Sequence, residues 1–141
     1  MARKKILLLG CTGSIGASTL DIIRNNPDLF EVAGLSAHTQ GDELLALAKE
    51  FGTDNIALTG IEQLRDERFR LYGQKGLTEL IQKSDADIVV NGIAGAGGLL
   101  PSIEAVSSGR TLALANKETI VMAGELILDL AKKKGCRILP V

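Results

Sequence analysis

Leu7-Leu8-Leu9-Gly10-Cys11-Thr12-Gly13-Ser14-Ile15-Gly16-Ala17-Ser18 runs three aliphatic residues into three glycines spaced G-x-x-G-x-x-G. The apolar run from Lys4 to Leu9 is short and ends at a glycine, which reads as a buried strand. Behind the glycines, Ile15, Thr19, Ile22 and Ile23 recur at helical spacing from Ser14 to about Asn25, and Asn26-Pro27-Asp28 ends that run. A glycine loop between a first strand and a first helix is where a doubly wound sheet receives a dinucleotide. The helix start offers unpaired N–H groups and partial positive charge to a pyrophosphate, and glycine lets the backbone come close to it. Thr12 and Ser14 add hydroxyl donors. No Gly-Lys-Ser/Thr follows, so a Walker-type phosphate loop is not indicated.

Working outward, strand and helix patterns keep alternating. Phe30–Ser36 reads as a second strand, and Leu44, Leu47, Ala48 and Phe51 give a helical face stopped by Gly52. Asn55–Leu58 is a third strand. Between Gly60 and Gly76 the pattern is weak: a short helix over Glu62–Glu67 and a short strand over Arg68–Tyr72 are expected. Then follow a helix over Gly76–Lys83, a strand over Asp87–Asn91, a helix through Leu99, Ile103 and Val106, a strand over Thr111–Ala115, a long helix over Lys117–Lys133 and a strand over Arg137–Val141. This order predicts a Rossmann-like, doubly wound α/β fold: one domain over residues 1–141, with a mainly parallel sheet and helices on both faces. A core strand is an unusual natural end for a chain, so a piece of a longer protein is expected.

The composition agrees. The 141 residues are 45% apolar and 23% charged, with net charge −1, which indicates a folded domain and no general nucleic-acid footprint. Two cysteines, Cys11 and Cys136, are too few for a disulfide framework and fit a reducing compartment. No stretch approaches the ~18 apolar residues of a membrane span. A cytoplasmic protein is expected.

Three further features bear on ligands. NAD sites usually place an acid at the end of the second strand, on the ribose 2′-OH. Here Leu35-Ser36-Ala37-His38-Thr39-Gln40-Gly41 carries none before Asp42, which favours NADP, although no Arg or Lys sits there either. His38 reads equally as a solvated loop residue or a phosphate contact. The stretch Asn91-Gly92-Ile93-Ala94-Gly95-Ala96-Gly97-Gly98 is a second glycine loop, read either as a cofactor contact or as a helix-entry turn. In Leu114-Ala115-Asn116-Lys117-Glu118, Asn116 is placed to cap the long helix and Glu118 suits its dipole. Lys117 does not, by roughly a few tenths of a kcal/mol. It reads either as a group aimed at an anionic ligand or as a lysine snorkelling into solvent. A Tyr-x-x-x-Lys pair is absent, since Tyr72 has Gly76 at that spacing, and no cluster has metal-ligand spacing.

Together, Gly10-Cys11-Thr12-Gly13-Ser14-Ile15-Gly16, Gly95-Ala96-Gly97-Gly98-Leu99 and Leu114-Ala115-Asn116-Lys117-Glu118 resemble the 1-deoxy-D-xylulose 5-phosphate reductoisomerases in order and spacing over the full chain. The resemblance implies an NADPH-dependent oxidoreductase and isomerase of the non-mevalonate isoprenoid route. Such an enzyme rearranges a phosphorylated sugar, reduces it to 2-C-methyl-D-erythritol 4-phosphate, uses Mg or Mn as a Lewis acid, and is a homodimer inhibited by fosmidomycin-type phosphonates. It implies that Thr12, Gly13, Ser14 and Ile15 line the pyrophosphate and adenosine side of NADPH. Asn116 and Glu118 would contact the nicotinamide half, and Lys117 would reach the substrate. Many members carry a basic Gly-Lys-Asn after the second strand; here Gln40 replaces the asparagine's hydrogen bonds and Thr39 cannot replace the lysine's charge. In the family an Asp-Ser-Glu that binds the metal follows the Leu-Pro-Val strand. The resemblance therefore places the metal-binding catalytic domain and the C-terminal helical domain outside these residues, with a chain that binds cofactor and does not turn over alone. The cofactor domain of an aspartate-semialdehyde dehydrogenase and a non-catalytic nucleotide-sensing module remain as alternatives.

Overall fold

Alternation along Lys4–Leu9 (β1) sends Ile6 and Leu8 to one face of a sheet and Leu7 and Leu9 to the other, and all four are buried. A strand buried on both faces needs cover on both sides, and the computed structural model, which describes residues 2–61, 66–115 and 117–140, supplies it. After β1 come α1 (Ser14–Asn25), β2 (Phe30–Ala37), α2 (Gly41–Phe51), β3 (Ile56–Leu58), β4 (Leu71–Tyr72), α3 (Gly73–Lys83) and β5 (Ile88–Asn91). A 3₁₀ turn (Gly95–Gly98) then leads into α4 (Leu99–Ser107), β6 (Thr111–Leu114), α5 (Lys117–Lys134) and β7 (Ile138–Pro140).

These seven described strands form one sheet in the order β4-β3-β2-β1-β5-β6-β7, with every pair parallel. Leu20 and Ile23 of α1 and Leu44 and Ala48 of α2 pack on the face that carries Ile6, Leu8 and Leu35. Leu77, Leu80 and Ile81 of α3, Ala105 and Val106 of α4, and Ile127 and Ala131 of α5 cover the other face, on Leu7, Leu9, Val89 and Leu112. The chain changes direction across the sheet at β1, whose neighbours are β2 and β5. The crevice between the carboxyl ends of β1 and β5 is therefore the topological switch point.

The first two helices follow the sequence pattern closely. Helix α1 stops where Asn26 turns out of helical geometry, its side-chain Nδ2 donating to the Ile22 carbonyl at 2.8 Å and its backbone N–H to the Ile23 carbonyl at 3.1 Å, and Gly52 ends α2 at φ +68°. The weakly patterned stretch departs from it. Residues 62–65, and with them most of the helix expected over Glu62–Glu67, lie outside the described residues. Asp66 instead begins a turn: its carboxylate accepts from the Arg68 N–H at 3.1 Å and its carbonyl from the Phe69 N–H at 3.1 Å. That turn buries Phe69 against α2 and leaves only Leu71 and Tyr72 of the expected Arg68–Tyr72 strand. Helix α3 begins at Gly73, where the chain turns out of β4 at φ +65°, rather than at Gly76, which lies inside the helix and packs closely. A Cβ there would lie 2.8 Å from the Leu71 carbonyl carbon. Within α5, Ala123 is non-helical (φ −150°, ψ 25°), so the helix is kinked, and Val121, Met122, Leu126 and Leu128 are exposed.

Helix α1 sits on the end of β1 at a distance that only a hydrogen atom at residue 16 allows. A Cβ on Gly16 would lie 2.5 Å from the Cys11 carbonyl oxygen, a backbone atom that cannot swing aside. Gly16→Ala is expected to lower unfolding free energy by about 1–3 kcal/mol through overpacking. Urea denaturation checks this, and an unchanged midpoint contradicts the packing described.

Candidate functional site

The three glycines of the first loop have different work. Gly10 turns the chain out of β1 at φ +74° and backs onto Gly92, whose carbonyl atoms would lie 3.0 Å from a Cβ. Gly16 allows the packing just described. Nothing inside the chain requires glycine at 13: a Cβ there would meet only the Gly10 carbonyl oxygen, at an ordinary 3.7 Å. What a side chain at 13 would obstruct is the open space in front of α1. Gly13 is the N-cap of α1, the helix has no side-chain cap, and its first turn contains no acid. Its leading N–H groups and positive dipole end are left for an anion. The loop is tied to β2, because the Gly10 N–H donates to Ser36 Oγ at 3.1 Å and the Cys11 N–H to the Ser36 carbonyl at 2.8 Å.

Cys11 itself points into the core. It is 1% exposed, and desolvation pushes its thiol up to about 12. It is a packing residue, since the thiolate is the nucleophile and this site resists forming one.

The second glycine loop is held by a residue that the sequence reading passed over. Asn91, at the end of β5, is fully buried, and its amide nitrogen donates to the Gly98 carbonyl at 2.9 Å and to Ser102 Oγ at 2.7 Å. Its side-chain oxygen accepts the Ile93 N–H at 3.1 Å. Gly92 completes the clamp from the other side by donating to the Leu9 carbonyl at 2.9 Å. The signal available in the sequence was a single amide at the end of the aliphatic run Ile88-Val89-Val90.

Between the two loops lies a cavity of about 340 Å³, lined by Gly13, Ser14 and Ile15, by 91–95, and by Ala115 and Glu118. The fold therefore brings together Gly13, Ser14, Ile15 and Glu118, which are about a hundred residues apart in the chain. Thr12 sits half-buried in the same loop. Gln40 is elsewhere: it is the N-cap of α2, beyond the end of β2, and its side chain makes no capping bond. Lys117 is the first residue of α5, and Asn116 lies outside the described residues. A larger cavity, about 860 Å³, is an open trough beside β4 and α3 and contains none of the residues singled out from the sequence. Among the described residues, no group of three or more His, Cys, Asp or Glu is placed to hold a metal ion, and no helix is long and apolar enough to cross a membrane.

A parallel sheet in this order, with an uncapped helix start and two glycine loops meeting at its switch point, defines a dinucleotide-binding α/β domain of the Rossmann type. Within that class the comparisons are specific. Residues 6–124 match the family model of 1-deoxy-D-xylulose 5-phosphate reductoisomerase. The reductoisomerase of Treponema denticola is 47% identical over 141 residues, all of this chain and 36% of that protein. The enzyme of Zymomonas mobilis, solved in complex with NADPH, superposes with a TM-score of 0.90 at 33% identity, over 99% of this chain and 39% of that one. A DOX-P reductoisomerase solved with NADPH, fosmidomycin and magnesium gives 0.85 at 38% identity, over 97% of this chain and 36% of that one. The chain belongs to the 1-deoxy-D-xylulose 5-phosphate reductoisomerase family, and it spans little more than a third of the length of these relatives. A WlbA dehydrogenase from Bordetella pertussis, solved with NADH and UDP-GlcNAcA, shares the fold at a TM-score of 0.71 and 18% identity, over 99% of this chain and 37% of that one.

Burial of Cys11 carries a pH signature. Its thiol stays protonated in the folded chain to about 12, whereas an exposed thiol ionises near its ordinary 9.0. Above that value the unfolded chain releases a proton that the folded chain keeps. Stability contributed by Cys11 is thus complete below about pH 9 and falls by roughly 1.4 kcal/mol per pH unit above it. Denaturation midpoints of wild type and Cys11→Ala, compared from about pH 8 to about pH 10.5, are expected to converge as pH rises. Parallel curves contradict a buried thiol.

Proposed function

We propose that this chain is the NADPH-binding domain of a protein that converts 1-deoxy-D-xylulose 5-phosphate to 2-C-methyl-D-erythritol 4-phosphate, rearranging its carbon skeleton and reducing the product aldehyde. One observation carries the reading: in a chain of this family, Gly13–Ile15 and Glu118 line one cavity in front of a helix start that nothing else caps.

A dinucleotide laid across the switch point sets its pyrophosphate against α1, where Gly13 leaves room and the N–H groups of the first turn, with the hydroxyls of Thr12 and Ser14, donate to it. Its adenosine half runs toward the end of β2, where Gln40 stands, and its nicotinamide half toward Ala115, Asn116 and Glu118 at the end of β6. When bound, NADPH supplies the hydride. The chain's own part is to hold both halves at fixed separation and to keep the nicotinamide face toward the substrate. Asn91 serves this by fixing the 92–98 loop as a wall of the groove. Lys117, at the mouth of the sheet, is the group that reaches the phosphorylated substrate.

The Mg or Mn of the reaction, the metal-binding catalytic domain, the C-terminal helical domain and the homodimer belong to the whole protein, which is proposed to work in the cytoplasm.

Gly13 allows a test in which fold and function move in opposite directions. Aspartate is a good N-cap, and a Cβ at 13 has room, so Gly13→Asp is expected to keep or slightly raise stability, by up to about 1 kcal/mol. Its carboxylate would occupy the pyrophosphate position, and NADPH affinity, read from nicotinamide fluorescence, is expected to fall at least about tenfold. Unchanged affinity in a folded Gly13→Asp chain contradicts the proposed site.

A further inference from the structure

Helix α5 carries an apolar face that nothing among the described residues covers. Five of the eight large apolar side chains that stand exposed among those residues lie on it: Ile120, Val121, Met122, Leu126 and Leu128, with Val121 85% exposed. A different set, Ile127 and Ala131, fastens the helix to the sheet. A run of exposed apolar groups this dense marks a surface that meets another one.

The patch grows out of the site. Residues three and four apart on a helix share a face, and the helix is unbroken from Glu118 to Met122. Val121 and Met122 therefore stand on the side of α5 that carries Glu118 to the cavity, one turn further out. Helix α5 also packs against the 3₁₀ turn of the second glycine loop. The patch borders the end of the groove proposed for the nicotinamide.

Just past Met122 the helix breaks at Ala123, and Gly124 follows. Neither its backbone nor its neighbours ask for glycine at 124: its φ is not left-handed, and a Cβ would meet Ile120 Cγ2 at an ordinary 3.8 Å. The two small residues leave a low point between Val121 and Met122 on one side and Leu126 and Leu128 on the other. What a side chain at 124 would obstruct is a surface packed on the helix from outside.

The relatives supply an occupant. This chain spans 36% of the Treponema denticola protein and 39% of the Zymomonas mobilis one, so more than half of such a polypeptide lies outside it. Hydride transfer needs the reacting carbon in near-contact with the nicotinamide, about 3–3.5 Å away. The part of the polypeptide that holds the substrate must then stand over the nicotinamide end, which is where this face lies. Glu118, Glu125 and Asp129 flank the patch and disfavour an anionic membrane surface as its partner.

We propose that the catalytic domain of the whole protein seats on α5, packing on Val121, Met122 and Leu126 across Gly124, and so closes the nicotinamide end of the groove. This rests on the reading above that places such a domain in the same polypeptide. Helix α5 is then a shared wall, with Glu118 toward the cofactor and the apolar face toward the domain that brings the substrate.

Maleimide labelling of Val121→Cys and Met122→Cys, in the 141-residue chain and in the whole protein, tests the seat. Rates are read peptide by peptide by mass spectrometry, against the urea-unfolded protein. Both thiols are expected to react freely in the chain and at least about tenfold more slowly in the whole protein, because packed contacts exclude water and reagent. Gly124→Leu fills the low point. It is expected to leave NADPH affinity and the chain's denaturation midpoint undiminished, and to lower turnover of the whole protein at least about tenfold. Equal labelling rates in the chain and the whole protein overturn the proposal. So does full turnover in Gly124→Leu. Protection that vanishes when the whole protein is diluted to monomers gives the face to a second copy and overturns it as well. Failure of the unsubstituted whole protein to reduce 1-deoxy-D-xylulose 5-phosphate with NADPH contradicts the proposed reaction itself, whereas the labelling rates answer for the face alone.

Discussion

The structure depends on one close approach. Where β1 and β5 end side by side, the chain has to leave both strands within the width of a backbone. Gly10 does so at positive φ, where a Cβ would lie 3.0 Å from the Gly92 carbonyl, and Gly92 is itself hydrogen-bonded to Leu9. This contact sets the two loops on either side of the switch point. Gly16, by admitting the Cys11 carbonyl against α1, fixes the angle at which the helix start faces the space between them. The groove follows from these contacts: a helix start without a cap on one side, and a loop fastened by a buried amide on the other.

Where the sequence was legible, it was so because one physical signal dominated. Lys4–Leu9 and Ser14–Asn25 have clear periods and unambiguous stops, and their bounds in the structure are those expected. From Gly60 to Gly76 the signals compete. The carboxylate of Asp66 closes a turn at the end of the stretch expected as a helix, and Gly76, expected to open the next helix, is a packing glycine inside α3. The kink at Ala123 leaves no trace in the spacing, because alanine is a good helix former and tertiary context sets its dihedrals.

The site was half legible in the same sense. The glycine loop announces an anion site through local chemistry alone, but its meeting with Glu118 depends on sheet order, which only the pattern of the whole chain implies. Asn91 escaped because a buried positioning amide looks like any polar residue at a strand end until its partners are seen. The fold by itself does not choose the cofactor, since the same architecture carries NADH in a distant dehydrogenase.

We propose that the start of α1 is where the dinucleotide's charge is received. Backbone amide NMR shifts during a titration with NADPH test it most directly. The largest shifts are expected at Ser14, Ile15 and Gly16, followed by 92–95 on the facing loop. Shifts confined to the trough beside β4 and α3, with the α1 amides unmoved, would contradict it.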